Sequence, residues 1–442
     1  MINYSIIPKS QLEGAKRLDA EYYQPEYLSF MSQINKFRVK KGGEIGKILR
    51  GNTPKEYGDY DIPIIRSGDL SNFFINENLL RAKNKNIFYV KNGDILISSI
   101  GLGSIGKVNI FTHGNEKTGT VSEVTVIRET KISPFYIWAF LTSKYGQFQI
   151  NREITGATGQ LHLNIGNVNN IFIPLLKEME SFDNLYKNAE KFFNDSQTFY
   201  YQAENLLLKN LGLINFHRIE ELTYIINSSE LTTASRLDAQ HFQPLTNTLI
   251  KLIYEKGATK IKDIAIFNKR GVQPEYYDDG EINVVTSKHL GRTSLDYENL
   301  DETSFDLWKE NPGAQIKQND ILIYTTGANI GRTNCYLESN DAIAGNHVNI
   351  LRVKGFNQSY LSVFLNSFLG QQQVKKFMTG SAQTELYPDD ISRFVVWNAP
   401  KETQQKIADL VRKSHEARKK SKELLEEAKR KVEEMIDRGG EN

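Results

Sequence analysis

Two stretches of the chain carry an apolar seam of about 3.5-residue period, the mark of long helices that pair with one another. Between Lys177 and Leu211 the residues Phe182, Leu185, Ala189, Phe192, Ser196, Phe199, Ala203 and Leu206 stand three and four apart, with no proline or glycine among them. From Lys401 to Arg438 the same rhythm runs through Ile407, Val411, Ser414, Arg418, Ser421, Leu425, Ala428, Val432 and Met435. Small residues return every seven positions in both, as Ala189, Ser196 and Ala203 and as Ser414, Ser421 and Ala428. This predicts an intramolecular antiparallel coiled coil, small residues against large, each helix about 50 Å long at 1.5 Å per residue. The rest of the pattern is short β-like runs divided by turn signals: EIGKIL, DIPIIRS, IFYV, DILISS, VNIF, TVSEVTVIR and NIFIPL. One amphipathic helix is expected at 133–150 and a counterpart at 360–378.

The elements come twice. RLDAEYYQP at 17–25 returns as RLDAQHFQP at 236–244, GNTPKEYG at 51–58 faces GVQPEYYDDG at 271–280, and NGDILISSIGLGSIGK at 92–107 faces QNDILIYTTGANIGR at 318–332. TGATGQLHL at 155–163 faces TGSAQTEL at 379–386, and a long helix closes each copy. A period near 220 is too long for a solenoid. The fold class expected is α+β, internally duplicated: two mixed α/β domains with two long helices forming an antiparallel coiled coil. The divisions expected are an arm at 1–35, a first domain at 36–176, a helix at 177–211, a linker and second arm at 212–245, a second domain at 246–400 and a second helix at 401–438.

Charge modifies this picture only locally. The net charge is +2, yet 31–155 carries roughly +7 and 245–400 about −2, so a polyanion partner is permitted for the first copy and not demanded. One cysteine, Cys335, excludes an internal disulfide framework. No apolar run has the length of a membrane span and the N-terminus has no secretory pattern, which together predict the cytoplasm.

Catalytic chemistry finds little support. GLGSIGK at 101–107 fits G-x-G-x-x-G and most of a P-loop, but Val108 stands where a magnesium-binding hydroxyl is required and KVNIF reads as a strand where a helix should begin. The pattern suits a glycine turn presenting a cation, Lys107 in the first copy and Arg332 in the second. The seven histidines have no i, i+4 pair. Asp94 and Asp320, which open DILI in each copy, read as turn residues. What remains are loops rich in hydroxyl, amide and glycine, suited to phosphates and base edges and equally to surface turns.

The duplicated half-chains, GNTPKEYGDYDIPIIRSGDL, GDILISSIGLGSIGK with its partner NDILIYTTGANIGR, the TGATGQLHLN and TGSAQTEL segments and the two long helices together resemble the DNA-specificity subunits of type I restriction-modification systems. The resemblance covers essentially the whole chain. It implies two target recognition domains, each reading one half of a split, asymmetric double-stranded DNA site, and a helical pair that fixes their separation. It also implies a subunit without catalysis of its own, binding two methyltransferase subunits and then restriction subunits. Neither S-adenosylmethionine nor ATP is expected to bind this chain by itself, and no metal is expected. The expected DNA-contacting residues are Asn52, Thr53, Lys55, Arg66, Ser67, Lys107 and Gln160 in the first copy. Those in the second are Gln273, Ser287, Lys288, Arg292, Thr325, Arg332 and Gln383. The rivals are a two-domain protein-protein adaptor and a nucleotide-using enzyme built on GLGSIGK.

Overall fold

In the computed structural model the structure describes residues 5–10, 12, 18, 20–71, 73–75, 79–101, 103–112, 117–156, 161–216, 221–297, 299–380 and 383–439. Two compact units emerge: 1–193 with 419–442, and 194–418. The boundary falls inside both long helices, Ser181–Leu211 and Lys401–Asp437.

The two units share one topology. In the first, an antiparallel sheet runs Lys47–Arg50, Val124–Arg128, Ile95–Ser98, Val108–Ile110; a second runs Leu80–Ala82, Tyr57–Ile65, Gly119–Thr120, Phe88–Tyr89, its central pair parallel. In the second unit the corresponding orders are Ala265–Arg270, Val348–Val353, Ile321–Tyr324, Thr333–Cys335 and Asp301–Thr303, Ile282–Val285, Ala342–Ala344, Gln315–Ile316, again with a parallel centre. The mixed α/β, duplicated architecture expected from the sequence is the one observed.

Each unit is held by the same interactions made by different residues. Asp94 is bound by Arg128 through Nε (3.0 and 3.1 Å) and Nη2 (2.6 Å), and Asp320 by Arg352 (2.7 and 2.8 Å). Both aspartates also accept a backbone N–H three residues upstream, from Lys91 and Lys317, so the turn reading was right and incomplete. Gln149 clamps the backbone of Phe172 at 2.8 Å in both directions, and Gln373 does the same at Val395.

The stretches 133–150 and 360–378 each form two helices rather than one: Pro134–Thr142 and Lys144–Glu153, then Gln358–Asn366 and Phe368–Phe377. Ser143 and Ser367 break the helix with extended backbone (ψ 165° and 167°). At the corner a methyl group on Gly146 would lie 2.2 Å from the Phe140 carbonyl oxygen, and one on Gly370 would lie 2.1 Å from that of Leu365, so only glycine lets the two segments fold back this closely.

The repeated RLDA motif docks an arm onto the second of these helices. In the second unit Arg236 donates to the carbonyls of Phe377 and Met378 at the helix C-terminus, where a cation and donors are favoured. Asp238 accepts from the His241 N–H, closing the turn Ala239–Phe242, and Pro244 starts the helix Pro244–Glu255. In the first unit Pro25 likewise starts Pro25–Ile34, and Arg152 donates to the Tyr22 carbonyl at 2.9 Å; Arg17 and Asp19 lie outside the described residues.

Within each unit the long helices pair. In the first, Ser421 Oγ donates to the Ala189 carbonyl (2.6 Å) and Lys431 Nζ to Ser181 Oγ (2.8 Å), which fixes an antiparallel register. In the second, Ser414 Oγ donates to the Ser196 carbonyl at 2.7 Å. Small residues therefore meet small ones, against expectation, because a serine hydroxyl bonding to the facing helix backbone needs close approach. The buried seam of the first helix is Phe182, Tyr186, Ala189, Ser196, Tyr200, Ala203 and Leu207. Leu185, Phe199 and Leu206 sit one residue off it and are only partly buried. In the second helix Ile436 takes the place expected for Met435, and Ala417 that of Arg418.

Candidate nucleic-acid interface

Two parallel strands ending side by side create an open edge from which loops emerge, the usual place for a ligand in an α/β sheet. In the first unit the strands Tyr57–Ile65 and Gly119–Thr120 end there, followed by the turn Ser67–Ser71 and by 121–123. The loop after Lys47–Arg50 closes over them. A methyl group on Gly51 would lie 2.0 Å from the Val121 carbonyl oxygen, so this close approach requires glycine. In the second unit Gly271 stands in the same relation to the Ala344 carbonyl, also at 2.0 Å.

At the first unit's edge, Thr53 Oγ1 accepts from the Ser122 N–H (3.0 Å), lies 2.6 Å from Ser122 Oγ and donates to Glu123 (3.1 Å). Asn52 Nδ2 donates to the Asn86 carbonyl. Asp69 accepts from the Arg66 N–H at 2.8 Å and pairs with its guanidinium at 3.4 Å, holding the turn that carries Ser67. Burial raises the Tyr57 phenol above its ordinary value, the Glu123 carboxylate adding to the shift and Arg66 opposing it. Lys55 stands exposed on the same loop, next to the buried Pro54.

In the second unit Gln273, Ser287 and Lys288 line a crevice of about 330 Å³ together with Tyr276, Asp301 and His347. Lys288 Nζ lies 2.7 Å from Asp301. His289 closes the turn by accepting the Thr286 N–H on Nδ1 (3.0 Å), the part Asp69 plays in the first unit. Burial holds the His289 imidazole below the ordinary histidine value, and neighbouring Lys288 adds to this.

The other expected residues lie along the neighbouring glycine turn. Lys107 and Arg332 end that turn and are followed by strands, not helices. Lys107 is exposed, whereas Arg332 is half-buried and its guanidinium is pushed below its ordinary value by desolvation. Gln383 is exposed on the turn that pairs Thr379 with Glu385, and Gln160 lies outside the described residues. The backbone links the two sets, since Ser99 N–H donates to the Glu123 carbonyl and Thr325 N–H to that of His347.

One expected contact does not reach the edge: Thr325 is fully buried, which removes its hydroxyl from any ligand surface. Arg292 has its backbone held against the helices, its carbonyl accepting from Asn366 and the next residue, Thr293, donating to Gln197 of the first long helix at 3.3 Å, while the residue itself is exposed and its charge acts on Arg332. Conversely, Arg50, whose Nε–H donates to the Ser122 carbonyl at 2.6 Å, and Ser122, Glu123, Tyr276, Asp301 and His347 escaped sequence reasoning. The Arg-Gly pair repeated at 50–51 and 270–271 was an available signal for the first of them.

The family described as "Type I restriction modification DNA specificity domain" matches residues 34–178 and 255–430, covering the strands, loops and turns of both edges. The chain belongs to this family. Among solved structures, the type I restriction-modification S subunit from M. genitalium is 9% identical, with 90% of this chain and 95% of that one covered and a TM-score of 0.40. The HsdS subunit from Thermoanaerobacter tengcongensis is 12% identical over 91% and 96%, with a TM-score of 0.29. A chain from work on complex assembly and conformational transition of the type I R-M system is 13% identical over 91% and 97%, also at 0.29. No curated protein matches the chain. As a type I DNA-specificity protein it has DNA recognition as its role. Among the described residues no helix is long and apolar enough to cross a membrane.

Proposed function

We propose that the chain reads a bipartite, asymmetric double-stranded DNA site, one half with the edge of each unit, while its long helices carry two methyltransferase subunits and then restriction subunits. The observation behind this is a repeated frame with unlike edges. Topology, ion pair and clamp recur, yet Asn52, Thr53 and Arg66 in one unit stand where Val272, Gln273 and Thr286 stand in the other. Different groups on one frame read different base sequences.

The helices of 31 and 37 residues, about 46 and 55 Å at 1.5 Å per residue, are stiff enough to hold two half-sites a set number of base pairs apart. Sequencing the methylation pattern of a host that carries the chain with its methyltransferase tests the reading. A two-part motif with a fixed gap is expected. Inserting four residues in each long helix should change the gap and keep both half-sites. A continuous motif, or altered bases at constant gap, overturns the proposal.

A further inference from the structure

The crevice of the second unit carries a cation and a carboxylate in contact, Lys288 Nζ and Asp301 Oδ1 at 2.7 Å. Lys288 sits on the turn after Ile282–Val285, and Asp301 opens the adjacent strand, in register with Val284. The Lys288 side chain is 60% exposed and that of Asp301 28%, so the ammonium and the carboxylate are both accessible from the crevice. An exposed pair of this kind adds little to stability.

Its geometry matches something in DNA. On the major-groove edge of every Watson–Crick pair a keto oxygen, guanine O6 or thymine O4, lies beside an amino group, cytosine N4 or adenine N6, about 2.9 Å away across their mutual hydrogen bond. A donor and an acceptor held at 2.7 Å complement those two atoms one to one, the ammonium donating to the keto oxygen and the carboxylate accepting from the amino group. Reversing the base pair sets ammonium against amino group and carboxylate against keto oxygen, leaving both unsatisfied. We propose that Lys288 and Asp301 together read the polarity of one base pair in the half-site bound by the second unit, requiring G or T on one strand and C or A opposite.

The inference rests on the proposed function and makes it specific. Mutual neutralisation is what lets a carboxylate stand in a groove lined by phosphates, and it accords with the roughly −2 charge of residues 245–400. In the first unit the comparable pair, Arg66 and Asp69, is wider, at 3.4 Å, and Asp69 is engaged by the Arg66 N–H, so the inference is confined to the second.

The test uses the full chain with its methyltransferase subunits and genome-wide mapping of methylated sites. Lys288→Met should relax one position of one half-site so that the reversed pair is accepted, with discrimination there falling roughly 5- to 150-fold, the range of a single mismatch. The other half-site and the gap should stay as they were. The exchange Lys288→Asp with Asp301→Lys should invert that position from keto to amino. If the parent gives no two-part motif, the proposed function fails. If the parent gives one and Lys288→Met leaves every position unchanged, or relaxes a position without regard to the keto-amino order, this inference alone fails. Lys288 is exposed, so its methionine variant folds and decides the case even if the exchange variant is inactive.

Discussion

Replacing Asp94 by asparagine keeps the shape of a buried side chain and removes its charge. The Asp94 carboxylate is 2% exposed and the Arg128 guanidinium 12%, so neither is screened by solvent. The carboxylate receives the Arg128 Nε–H, an Arg128 Nη2–H and the Lys91 N–H, and Arg128 further donates to the Tyr89 carbonyl at 2.7 Å. Asparagine offers one oxygen and turns an NH₂ toward a donor, leaving a buried guanidinium without its counter-charge. Removing one partner of such a pair costs about 3–5 kcal/mol. At roughly 2–4 °C per kcal/mol for a unit of about 200 residues, the melting temperature should fall by roughly 6–20 °C. Asp320→Asn should behave alike, because Arg352 makes the same contacts and reaches the Gln315 carbonyl. The double variant Asp94→Asn, Arg128→Leu should recover part of the loss, since no uncompensated charge remains. Urea unfolding with calorimetry measures all three. A single-variant cost under about 1 kcal/mol, or a double variant equal to the sum of the singles, would refute the reading of the pair as coupled buried charges.

Gly271→Ala should cost about 1–3 kcal/mol, as overpacking does, and disturb the second half-site more than the first; unfolding midpoints and methylation motifs read both effects. Cys335 is buried and its thiol is pushed up to about 12, so the native protein should resist thiol reagents at pH 8 and react only as the second unit opens. Alkylation at the rate of a free thiol would contradict this. His241 and His289 are held below the ordinary histidine value, in both cases chiefly by burial. The unfolded chain therefore takes up protons near pH 6.5 that the folded chain refuses, and stability should fall as pH drops from 7.5 toward 6.0. Urea midpoints at the two pH values should differ less in a His241→Phe, His289→Gln variant. Lys55→Ala should weaken binding to all duplexes alike and lower the slope of log affinity against log salt by about 0.9, whereas a change in preferred sequence would place Lys55 on bases.

The duplication was legible because nine-residue motifs recur in order, and the long helices because heptads need only local sequence. Phe182, Ala189, Ser196 and Ala203 are buried as expected, but the alternate positions of the seam slipped by one because apolar residues come there in adjacent pairs: Leu185 and Tyr186, Phe199 and Tyr200, Leu206 and Leu207. Either member satisfies a three-four rhythm, and only the facing helix selects the second. The run TVSEVTVIR reads as one strand, but it divides into Gly119–Thr120 and Val124–Arg128, which belong to different sheets. The break between them, 121–123, is part of the first edge. Which strands lie in parallel depends on pairing across more than fifty residues, Ile64 with Gly119, and no local pattern records it. Glu123, His347 and Asp301 were missed for that reason: the first two sit just before a strand and the third opens one, and only the pairing brings each to the edge.

Comparing the two units separates what the frame requires from what the edge is free to vary. The Asp–Arg pair, the glutamine clamp, the serine corners with their glycines and the close approach at Gly51 and Gly271 all recur, and all lie in buried structure or at points where backbones touch. The turn after the first parallel strand recurs in shape but not in chemistry: an aspartate closes it through Arg66 N–H in one unit, a histidine through Thr286 N–H in the other. A turn that two unrelated side chains can close accepts new side chains without refolding the sheets beneath it. Exposed groups such as Asn52, Arg66, Gln273 and Lys288 contribute little to either core, so they can be exchanged at little cost in stability. Where the parallel strands end, side chains are positioned by the sheet yet not buried by it, and under the proposed function that is what allows different groups on a constant frame.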